Sequence, residues 1–557
     1  MNNRFPYGFM QNFNIDRRRT FRPSIRSQWL LALAALYFTT VLNTSLWRYF
    51  ITHTEITGIH SLLFVFSMPV FIFTAIFLFF NLLAPYTIKP VLIVLLLISS
   101  SASYFMSELG IFIDADMIRN VFETNSREAF DLITIHALSQ IFLFGILPSI
   151  ALVFVTIEYR PFWKEMLNRL IAISGCICII GIIATFFYQD YAGFCKRHRE
   201  MTKLVNPSNY LYGMIRYFHL ESFVFKTFMP LDKDAVRLPG DDSTPSVFIL
   251  VVGETARAAN FSLNGYPRDT NPMLSKENVI AFQDVYSCGT ATAISVPCMF
   301  SNMSQKTFSI RESKFSENLM DLLKQTGFDV LWLENDNGCK GVCNRIQTIN
   351  LYKSGDPRYC DGQSCFDEIL LDNLEEYIAS VKKDTFIVLH TIGSHGPTYY
   401  KRYPATFRKF TPTCDTADIQ NCSREEIINT YDNTILYTDF VVSRAIGILK
   451  KFPHLESGLL YVSDHGESLG ENNIYLHGLP YSIAPEEQKK VPMILWMSDT
   501  MKKIDHLDYS CIARQASEKT WSHDNLFHTL LALTGISSRT YDKSLDIFDA
   551  CRMKTSP

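Results

Sequence analysis

Residues 460–468 read LYVSDHGES, and they join a short apolar run to a group of potential metal ligands. The run at 458–462 is brief, apolar and entered from a loop, which predicts a buried strand. At its end Asp464 offers carboxylate oxygen and His465 offers imidazole nitrogen, a mixture that suits Zn²⁺ or a similar divalent ion. An ordinary Asp-His-Gly turn is the alternative, but ionisable residues follow other apolar runs of the chain in the same way.

From residue 246 onward, short apolar runs alternate with helical stretches, which predicts an α/β domain with a mainly parallel central sheet. Ligands of such sheets bind outside the carboxyl ends of the strands. We therefore expect the residues that follow four of these runs to form one site. They are Glu254 after 247–252, Asp336 and Lys340 after 328–333, His390 and His395 after 386–389, and Asp464 and His465 after 459–462.

The composition indicates a membrane protein with an outer domain. A chain of 557 residues predicts two domains, and a formal net charge of −3 gives no indication of nucleic-acid binding. Hydrophobic residues make up 48% of the chain, and the excess lies before about residue 190. Five apolar segments in that part are long enough, or nearly so, to cross a bilayer: 29–49, 61–83, 90–106, 140–157 and 170–188.

The basic residues predict the orientation of these segments. Arginines in residues 1–28 keep the N-terminus in the cytoplasm, and five crossings then place the chain after residue 188 outside the membrane. The aromatic stretch at 210–218, within a mixed segment from 189 to about 244, fits a helix in the membrane interface and a packed linker helix equally well. The predicted parts are a cytoplasmic Arg-rich tail (1–28), a five-helix transmembrane domain (29–188), an amphipathic linker (189–244, closed by a turn-rich boundary near 238–242) and an outer α/β domain (245–557).

Ten of the thirteen cysteines lie beyond residue 280, mostly as near pairs. Such pairs close short loops and predict disulfides in an oxidising compartment, in agreement with the outer location. A zinc–cysteine module is disfavoured because the pairs are scattered. The pairs are Cys288 and Cys298, Cys339 and Cys343, Cys360 and Cys365, and Cys414 and Cys422, which leaves Cys511 and Cys551 to each other.

Glu254, Asp464 and His465 give three ligands, and three protein ligands plus an open position are the pattern of a catalytic zinc. The segment 288–298 supplies hydroxyl groups, one of which would attack phosphorus when activated by the metal. The residue types leave Thr290, Thr292 and Ser295 open as the nucleophile, and leave open that these small residues only pack beneath a disulfide.

Three further residue types suit a phosphate substrate. His395 and His477 are hydrogen-bonding groups or proton donors for a phosphate or a leaving group, or ligands of a second metal. Lys340 neutralises a phosphate oxygen. Glu467 is expected to hydrogen-bond to a metal-binding residue and to orient it.

Residues 249–260, 287–300, 390–400 and 463–478 closely resemble the lipid A phosphoethanolamine transferases, which are inner-membrane enzymes of Gram-negative bacteria. The mobile colistin-resistance enzymes are similar. The resemblance covers the five-helix membrane part and the whole outer domain, and only the long N-terminal extension looks peculiar to this chain.

The resemblance implies an alkaline-phosphatase/sulfatase fold in the periplasmic domain, with at least one Zn²⁺ and a second one possible. It implies zinc ligands at Glu254, Thr292, Asp464 and His465, and it selects Thr292 as the nucleophile. Four further residues match positions linked to phosphoethanolamine or additional metal, and a fifth matches a carboxylate that lines the site. These residues are His395, His477, Asp336 and Lys340, and then Glu467.

The implied reaction moves phosphoethanolamine from phosphatidylethanolamine to a phosphate of lipid A through a covalent enzyme intermediate. It lowers the negative surface charge and so weakens attraction of polymyxin and other cationic peptides. We expect a monomer with membrane lipids as partners. The alternatives are a transferase acting on core sugars or another glycan, a sulfatase and a non-catalytic membrane sensor. A sulfatase is disfavoured because no arginine follows residues 295–298, and a sensor because no ligand is lost.

Overall fold

The computed structural model describes residues 23–83, 85–124, 126–221, 227–238, 244–362 and 364–553. Most of the predicted Arg-rich tail and most of the turn-rich boundary near 238–242 lie outside the described residues. The described chain divides into two compact units. The first contains the residues up to Leu42, His53–Ser100 and Ile141–Arg197, and the second contains Asn43–Thr52, Ser101–Gln140 and the residues from His198 onward.

Ten α-helices lie among the described residues up to Glu221, and a π-helical turn at Phe142–Ile146 separates two of them. They are α1 Ser27–Thr40, α2 Thr44–Thr52, α3 Ile59–Leu82, α4 Ile88–Glu108, α5 Ala115–Glu123, α6 Ser126–Asp131, α7 Ile135–Ile141, α8 Leu147–Phe154, α9 Phe162–Arg197 and α10 Ser208–Glu221.

Within the described residues, four spans are long and apolar enough to cross a membrane: Ile59–Leu82, Pro85–Glu108, Ile135–Phe154 and Phe162–Arg197. A fifth is added if the bent pair α1 and α2 forms one span, so the predicted count of five depends on that pair. Large apolar side chains of α9 such as Ile171, Ile177 and Phe186 are exposed, as expected for a helix whose solvent is lipid.

A seven-stranded sheet forms the centre of the second unit, in the order β5-β13-β10-β4-β9-β7-β8. Its neighbours are parallel except that β13 runs antiparallel to both β10 and β5, so the sheet is mixed rather than fully parallel. In chain order the strands are β1 Ser24–Arg26, β2 Thr156–Glu158, β3 Val236–Arg237, β4 Ser246–Gly253, β5 Ile280–Phe282, β6 Val285–Tyr286, β7 Asp329–Glu334, β8 Gln347–Asn350, β9 Thr385–His390, β10 Glu456–Ser463, β11 Ser468–Glu471, β12 Ile474–Leu476, β13 Met493–Met497, β14 Trp521–Ser522 and β15 Ile536–Ser537.

The central strands are apolar on both faces because helices cover both sides of the sheet. On β4, Phe248 and Leu250 belong to one hydrophobic core, and Val247 and Ile249 belong to the core on the opposite face. Burial on both faces explains why these strands appear in the sequence as continuous apolar runs rather than as alternating patterns.

Nine further helices are found in the described residues of the second unit after residue 244. The longest, α15, has 27 residues and begins with a capping box between Ser423 and Glu426, an arrangement that satisfies backbone donors of the first turn. These helices are α11 Thr292–Met299, α12 Ile310–Ser313, α13 Leu319–Gln325, α14 Leu374–Ala379, α15 Arg424–Lys450, α16 Glu486–Lys489, α17 Asp499–Ile504, α18 Tyr509–Glu518 and α19 Asp524–Leu533.

The segment Ser101–Gln140, which connects two of the apolar spans, belongs to the second unit. Asp131 at the end of α6 accepts hydrogen bonds from Thr398 at 2.8 Å, Lys401 at 3.0 Å and Arg402 at 3.2 Å. Burial alone would raise the pKa of Asp131, but these donors lower it below its ordinary value. The segment is therefore fixed to the loop that follows β9.

Five disulfides are present, and they join the cysteines that the sequence pairs by proximity. Four of them close loops of 4 to 10 residues, and the fifth connects α18 to the C-terminal part of the chain. The prediction of disulfides is confirmed.

Candidate active site

Glu254, Asp464 and His465 converge at the carboxyl edge of the sheet because β4 and β10 are parallel neighbours. Val462 pairs with Val252, so the two strands end at the same level. The backbone N–H of Asp464 donates to the carbonyl of Gly253 at 2.8 Å, which holds the two strand ends side by side. All three side chains are fully buried, and one ligand atom from each lies within 4.8 Å of the others.

Thr292, the first residue of α11, completes this group. Its Oγ1 lies 3.0 Å and 3.2 Å from the two carboxylate oxygens of Glu254 and 3.3 Å from Nε2 of His465. The other two hydroxyl groups point elsewhere: Thr290 donates to the carbonyl of Leu479, and Ser295 donates to the carbonyl of Asp464. Thr292 is therefore the hydroxyl of this loop that faces the potential ligands.

The histidine of this group has the tautomer that a metal requires. His465 Nδ1 lies 3.0 Å from the carbonyl of Gly466, which can only accept, so Nδ1 carries the proton and Nε2 offers a lone pair. Burial lowers the pKa of His465 and favours the neutral ring. In addition, Asp464 Oδ2 is buried and makes no hydrogen bond within the described part of the chain. The residues present therefore fit a divalent metal ion.

His477, His395 and Glu467 form a second group beside the first. Glu467 Oε2 lies 2.7 Å from His477 Nδ1, and its Oε1 accepts the hydroxyl of Tyr399 at 2.5 Å. The ring centroid of His477 lies 4.4 Å from that of His465 and 5.5 Å from that of His395. Desolvation and the adjacent His477 lower the pKa of His395 well below its ordinary value, so this ring is neutral.

The loop after β7 brings Asp336 and Lys340 to the same edge of the sheet. Asp336 is buried, and burial raises the pKa of its carboxyl group. Lys340 has a φ of 50°, a left-handed conformation that side chains other than glycine rarely adopt. Backbone strain of this kind is common at functional sites, where the surrounding structure maintains it. Here Lys340 directly follows Cys339 of the Cys339–Cys343 disulfide.

Glu334 is a site residue that the sequence analysis does not name, and His390 is one that it places at this edge of the sheet without a role. His390 Nδ1 lies 2.9 Å from Glu334 Oε2, and both residues are fully buried. Burial alone would lower the pKa of His390, but Glu334 and Asp336 raise it to about 9. The sequence feature that could place both residues at the site is their position: Glu334 directly follows the apolar run at 328–333, and His390 directly follows the run at 386–389.

A cavity of about 930 Å³ adjoins this site. Ala293 and Pro297 of α11 form part of its wall, and Lys340, Lys314 and Arg345 contribute basic groups. Glu123 and Glu317 also line it, so the cavity extends from the helix that begins at Thr292 and has both basic and acidic groups in its wall.

Comparisons with known proteins match both parts of the chain. The sulfatase family model matches residues 246–536, and the family model described as phosphoethanolamine transferase EptA/EptB matches residues 70–221. Phosphoethanolamine transferase EptA of Escherichia coli K12 is 41% identical over 550 residues, which cover 96% of this chain and 99% of that relative. Phosphatidylethanolamine transferase Mcr-1 of Escherichia coli is 35% identical over 546 residues, which cover 95% of this chain and 98% of that relative.

One solved structure matches nearly the whole fold. It is the integral membrane lipooligosaccharide phosphoethanolamine transferase A of Neisseria meningitidis, with a TM-score of 0.93 and 39% identity. The match covers 96% of this chain and all of that one. The similarity therefore includes the membrane helices as well as the sulfatase-like unit.

Proposed function

The chain belongs to the lipid A phosphoethanolamine transferase family of the alkaline-phosphatase/sulfatase superfamily, and on that premise we propose that it transfers phosphoethanolamine from phosphatidylethanolamine to a phosphate group of lipid A. The observation that carries the proposal is the position of Thr292 Oγ1, 3.0 Å from Glu254 and 3.3 Å from His465. A hydroxyl group held among metal ligands suits nucleophilic attack on phosphorus.

The proposed metal is Zn²⁺, held by Glu254, Thr292, Asp464 and His465. Two carboxylates, one imidazole and one hydroxyl are ligands that zinc accepts. When bound, the ion supplies positive charge that lowers the pKa of the Thr292 hydroxyl and offsets charge that builds up on the phosphate. The N-terminus of the eight-residue helix α11 adds backbone N–H groups that favour an anion at the same point.

The transfer has two steps. In the first, Thr292 Oγ1 forms a bond to the phosphorus of phosphatidylethanolamine, and the bond from phosphorus to the glycerol oxygen breaks. The proton of Oγ1 passes to the imidazole of His395 or His477, the partly exposed histidines beside the site, and from there to the diacylglycerol oxygen. In the second step a phosphate oxygen of lipid A forms a bond to the phosphorus of the phosphothreonine, the bond from phosphorus to Oγ1 breaks, and the proton of the lipid A phosphate passes through the same imidazole to restore the Thr292 hydroxyl.

Positioning residues support both steps. Glu467 holds His477 through Nδ1 at 2.7 Å and thereby fixes which nitrogen faces the site. Lys340 contacts the negatively charged phosphate of phosphoethanolamine, and Asp336 contacts its positively charged amine. The cavity of about 930 Å³ beside α11 provides space for a lipid headgroup next to Thr292.

We further propose that the chain lies in the inner membrane with its catalytic unit in the periplasm. The support is the arginine content of the N-terminal tail, the apolar spans and the disulfides of the second unit. The same proposal divides the chain into four parts at residues 28, 188 and 244. It also includes a monomeric state. Both substrates are then lipids of one membrane, so proximity replaces diffusion through water. The added amine weakens the attraction of polymyxin to the cell surface.

The test is mass spectrometry of lipid A from cells that express the wild type, Thr292→Ala or Thr290→Ala. Thr290→Ala is the matched control because its hydroxyl points to the carbonyl of Leu479. We expect a mass increase equal to phosphoethanolamine with the wild type and the control, and none with Thr292→Ala. Unmodified lipid A from cells with well-expressed wild type contradicts the acceptor assignment, and the same group is then sought on core sugars.

A further inference from the structure

The buried carboxylate of Asp367 joins two loops of the site. Asp367 begins a short 3₁₀ turn at Asp367–Leu371, and only 4% of the residue is exposed. Its Oδ1 accepts the side-chain N–H of Asn335 at 2.8 Å and the backbone N–H of Ile392 at 2.8 Å. Its Oδ2 accepts the backbone N–H of Gly393 at 2.9 Å. Asn335 belongs to the loop after β7, and the other two residues belong to the loop after β9.

The carboxylate of Asp367 acts only as an acceptor in these three hydrogen bonds. Burial raises the pKa of Asp367 to about 6, while the three N–H donors oppose this rise, so the group is ionised at neutral pH. A buried carboxylate costs free energy unless hydrogen bonds stabilise it. Neither loop can therefore move away from Asp367 without leaving its charge less well stabilised.

The loop after β9 carries His395, two residues beyond the Gly393 that Asp367 binds. Gly393 has a φ of 48°, and a Cβ at this position would lie 2.6 Å from the carbonyl oxygen of Glu254. The next residue, Ser394, donates its backbone N–H to the same carbonyl at 3.0 Å. The loop thus lies against the end of β4, and Asp367 holds its first residues there.

The loop after β7 carries Asp336, directly after the Asn335 that Asp367 binds. The backbone N–H of Asn335 donates to the carbonyl of His390 at 3.0 Å, so this loop is also attached to the end of β9. Asp336 and His395 come from different strands, yet the loops that carry them are joined by one buried carboxylate.

We propose that Asp367 is a positioning residue that sets Asp336 and His395 relative to each other, so that phosphoethanolamine is bound in one orientation. The inference rests on the proposed function, in which Asp336 contacts the amine and His395 serves the diacylglycerol oxygen. The hydrogen bonds of Asp367 go to the loops after β7 and β9, whereas Asp464 and His465 follow β10. Loss of this carboxylate should therefore impair substrate binding and leave the metal in place.

The test compares Asp367→Asn with Asp439→Asn. Asn keeps the size of the side chain but replaces one accepting oxygen by an N–H₂ group. Asp439 is the matched control because it is also fully buried and also accepts two consecutive backbone N–H groups, those of Met273 at 2.8 Å and Leu274 at 2.9 Å, outside the site. The full chain is purified in detergent, and diacylglycerol release from phosphatidylethanolamine is followed in mixed micelles with lipid A. Zinc per chain is measured on the same preparations.

We expect Asp367→Asn to raise KM for phosphatidylethanolamine several-fold and to reduce kcat/KM about 10-fold or more, because small displacements of positioning groups are costly. Its zinc content should equal that of the wild type. Asp439→Asn should keep the wild-type KM. A partly unfolded preparation contains fewer active molecules, which lowers the apparent kcat but leaves KM unchanged, so KM distinguishes positioning from stability.

A second pair of variants decides the result if Asp367→Asn does not fold. Asn335→Ala removes one of the three donors to Asp367 and leaves both backbone donors in place. We expect it to raise KM in the same direction by a smaller factor. Asn433→Ala is its control, because Asn433 is a fully buried amide that accepts the backbone N–H groups of Lys409 and Phe410 outside the site.

An unchanged KM in Asp367→Asn overturns the proposal, and so does an unchanged KM in Asn335→Ala where the first variant does not fold. An equal rise of KM in the control variants, or loss of zinc from Asp367→Asn, overturns it as well. A failure of the proposed function is a separate result, because the wild type itself then releases no diacylglycerol.

Discussion

Thr292 Oγ1 lies 3.0 Å from Oε2 of Glu254, although the two residues are 38 positions apart in the chain. Glu254 follows a central strand, and Thr292 begins a short helix that a disulfide closes at Cys298. The contact joins the group that would attack phosphorus to a group that would hold the metal.

Replacing Glu254 by Gln keeps the size of the side chain but removes its charge. We expect bound zinc to fall below one ion per chain and transfer to lipid A to fall by about 10²-fold or more, because charge stabilisation of this size is typical of such sites. Zinc content and lipid A modification are measured on the same preparation. Glu277→Gln, which only breaks a surface pair with Lys450, is the control. Full zinc content in Glu254→Gln would contradict the assigned ligand set.

Removing the hydroxyl of Tyr399 tests the support of His477. Burial and Glu467 raise the pKa of Tyr399 well above its ordinary value, so the phenol keeps its proton and donates to Glu467. Tyr399→Phe leaves Glu467 with one donor fewer, and we expect kcat to fall about 10-fold with KM little changed. Tyr403→Phe is the control for loss of a buried phenol hydroxyl. A change in KM alone would indicate a role in binding.

The pH dependence of stability tests His523. Its Nδ1 accepts the N–H of Cys288 at 3.1 Å, its Nε2 donates to the carbonyl of Ser463 at 3.0 Å, and burial lowers its pKa to about 4. An unfolded histidine has a pKa of about 6.5, so the unfolded state binds more protons between the two values and stability falls as the pH falls. Between pH 7 and pH 4, His523 therefore lowers the free energy of unfolding by about 3 kcal/mol. Between pH 7 and pH 4 the melting temperature should fall more steeply with decreasing pH for the wild type than for His523→Gln. The same pH dependence in both proteins would contradict this prediction.

Asp131 tests whether the segment Ser101–Gln140 positions the loop after β9. Asp131→Asn weakens contacts to Lys401 and Arg402, and Arg402 also donates to the carbonyl of His395 at 2.8 Å. We expect transfer to fall several-fold with the zinc content unchanged, because the metal ligands lie on other elements. Asp116→Asn, which alters only a local pair with Arg119, is the control within the same segment. Loss of zinc would show that the effect spreads beyond the loop.

The sequence predicts the centre of this site because the strands are buried on both faces. Such strands are continuous apolar runs, and the rule that ligands bind at their carboxyl ends is enough to bring Glu254, Asp464 and His465 together. The choice of Thr292 over Thr290 and Ser295 depends on where α11 begins, which residue types alone do not determine. The resemblance to the family implies that choice, and in the structure Thr290 and Ser295 donate to backbone carbonyls whereas Thr292 lies beside Glu254.

Other features could not be inferred from the residue pattern. Glu334 ends an apolar run, where a charged residue usually marks the solvent, yet it is buried and paired with His390. The direction of β13 depends on its connection to β10, since an apolar run has no intrinsic direction. The association of Ser101–Gln140 with the second unit depends on tertiary contacts of single residues such as Asp131.

The disulfide around Thr292 gives a final prediction with a matched control. Cys288–Cys298 and Cys414–Cys422 close loops of similar length, with separations of 10 and 8 residues, so their removal should reduce stability by similar amounts of about 2–3 kcal/mol. Only the first loop contains Thr292 and the start of α11. Replacing Cys288 and Cys298 by Ser should therefore reduce transfer about 10-fold or more at a temperature where both variants are folded, because a nucleophile displaced by 1 Å can lose about 10²-fold in rate. Replacing Cys414 and Cys422 should leave transfer near the wild-type level. Equal losses in both variants would mean that global stability, rather than the placement of Thr292, depends on the first disulfide.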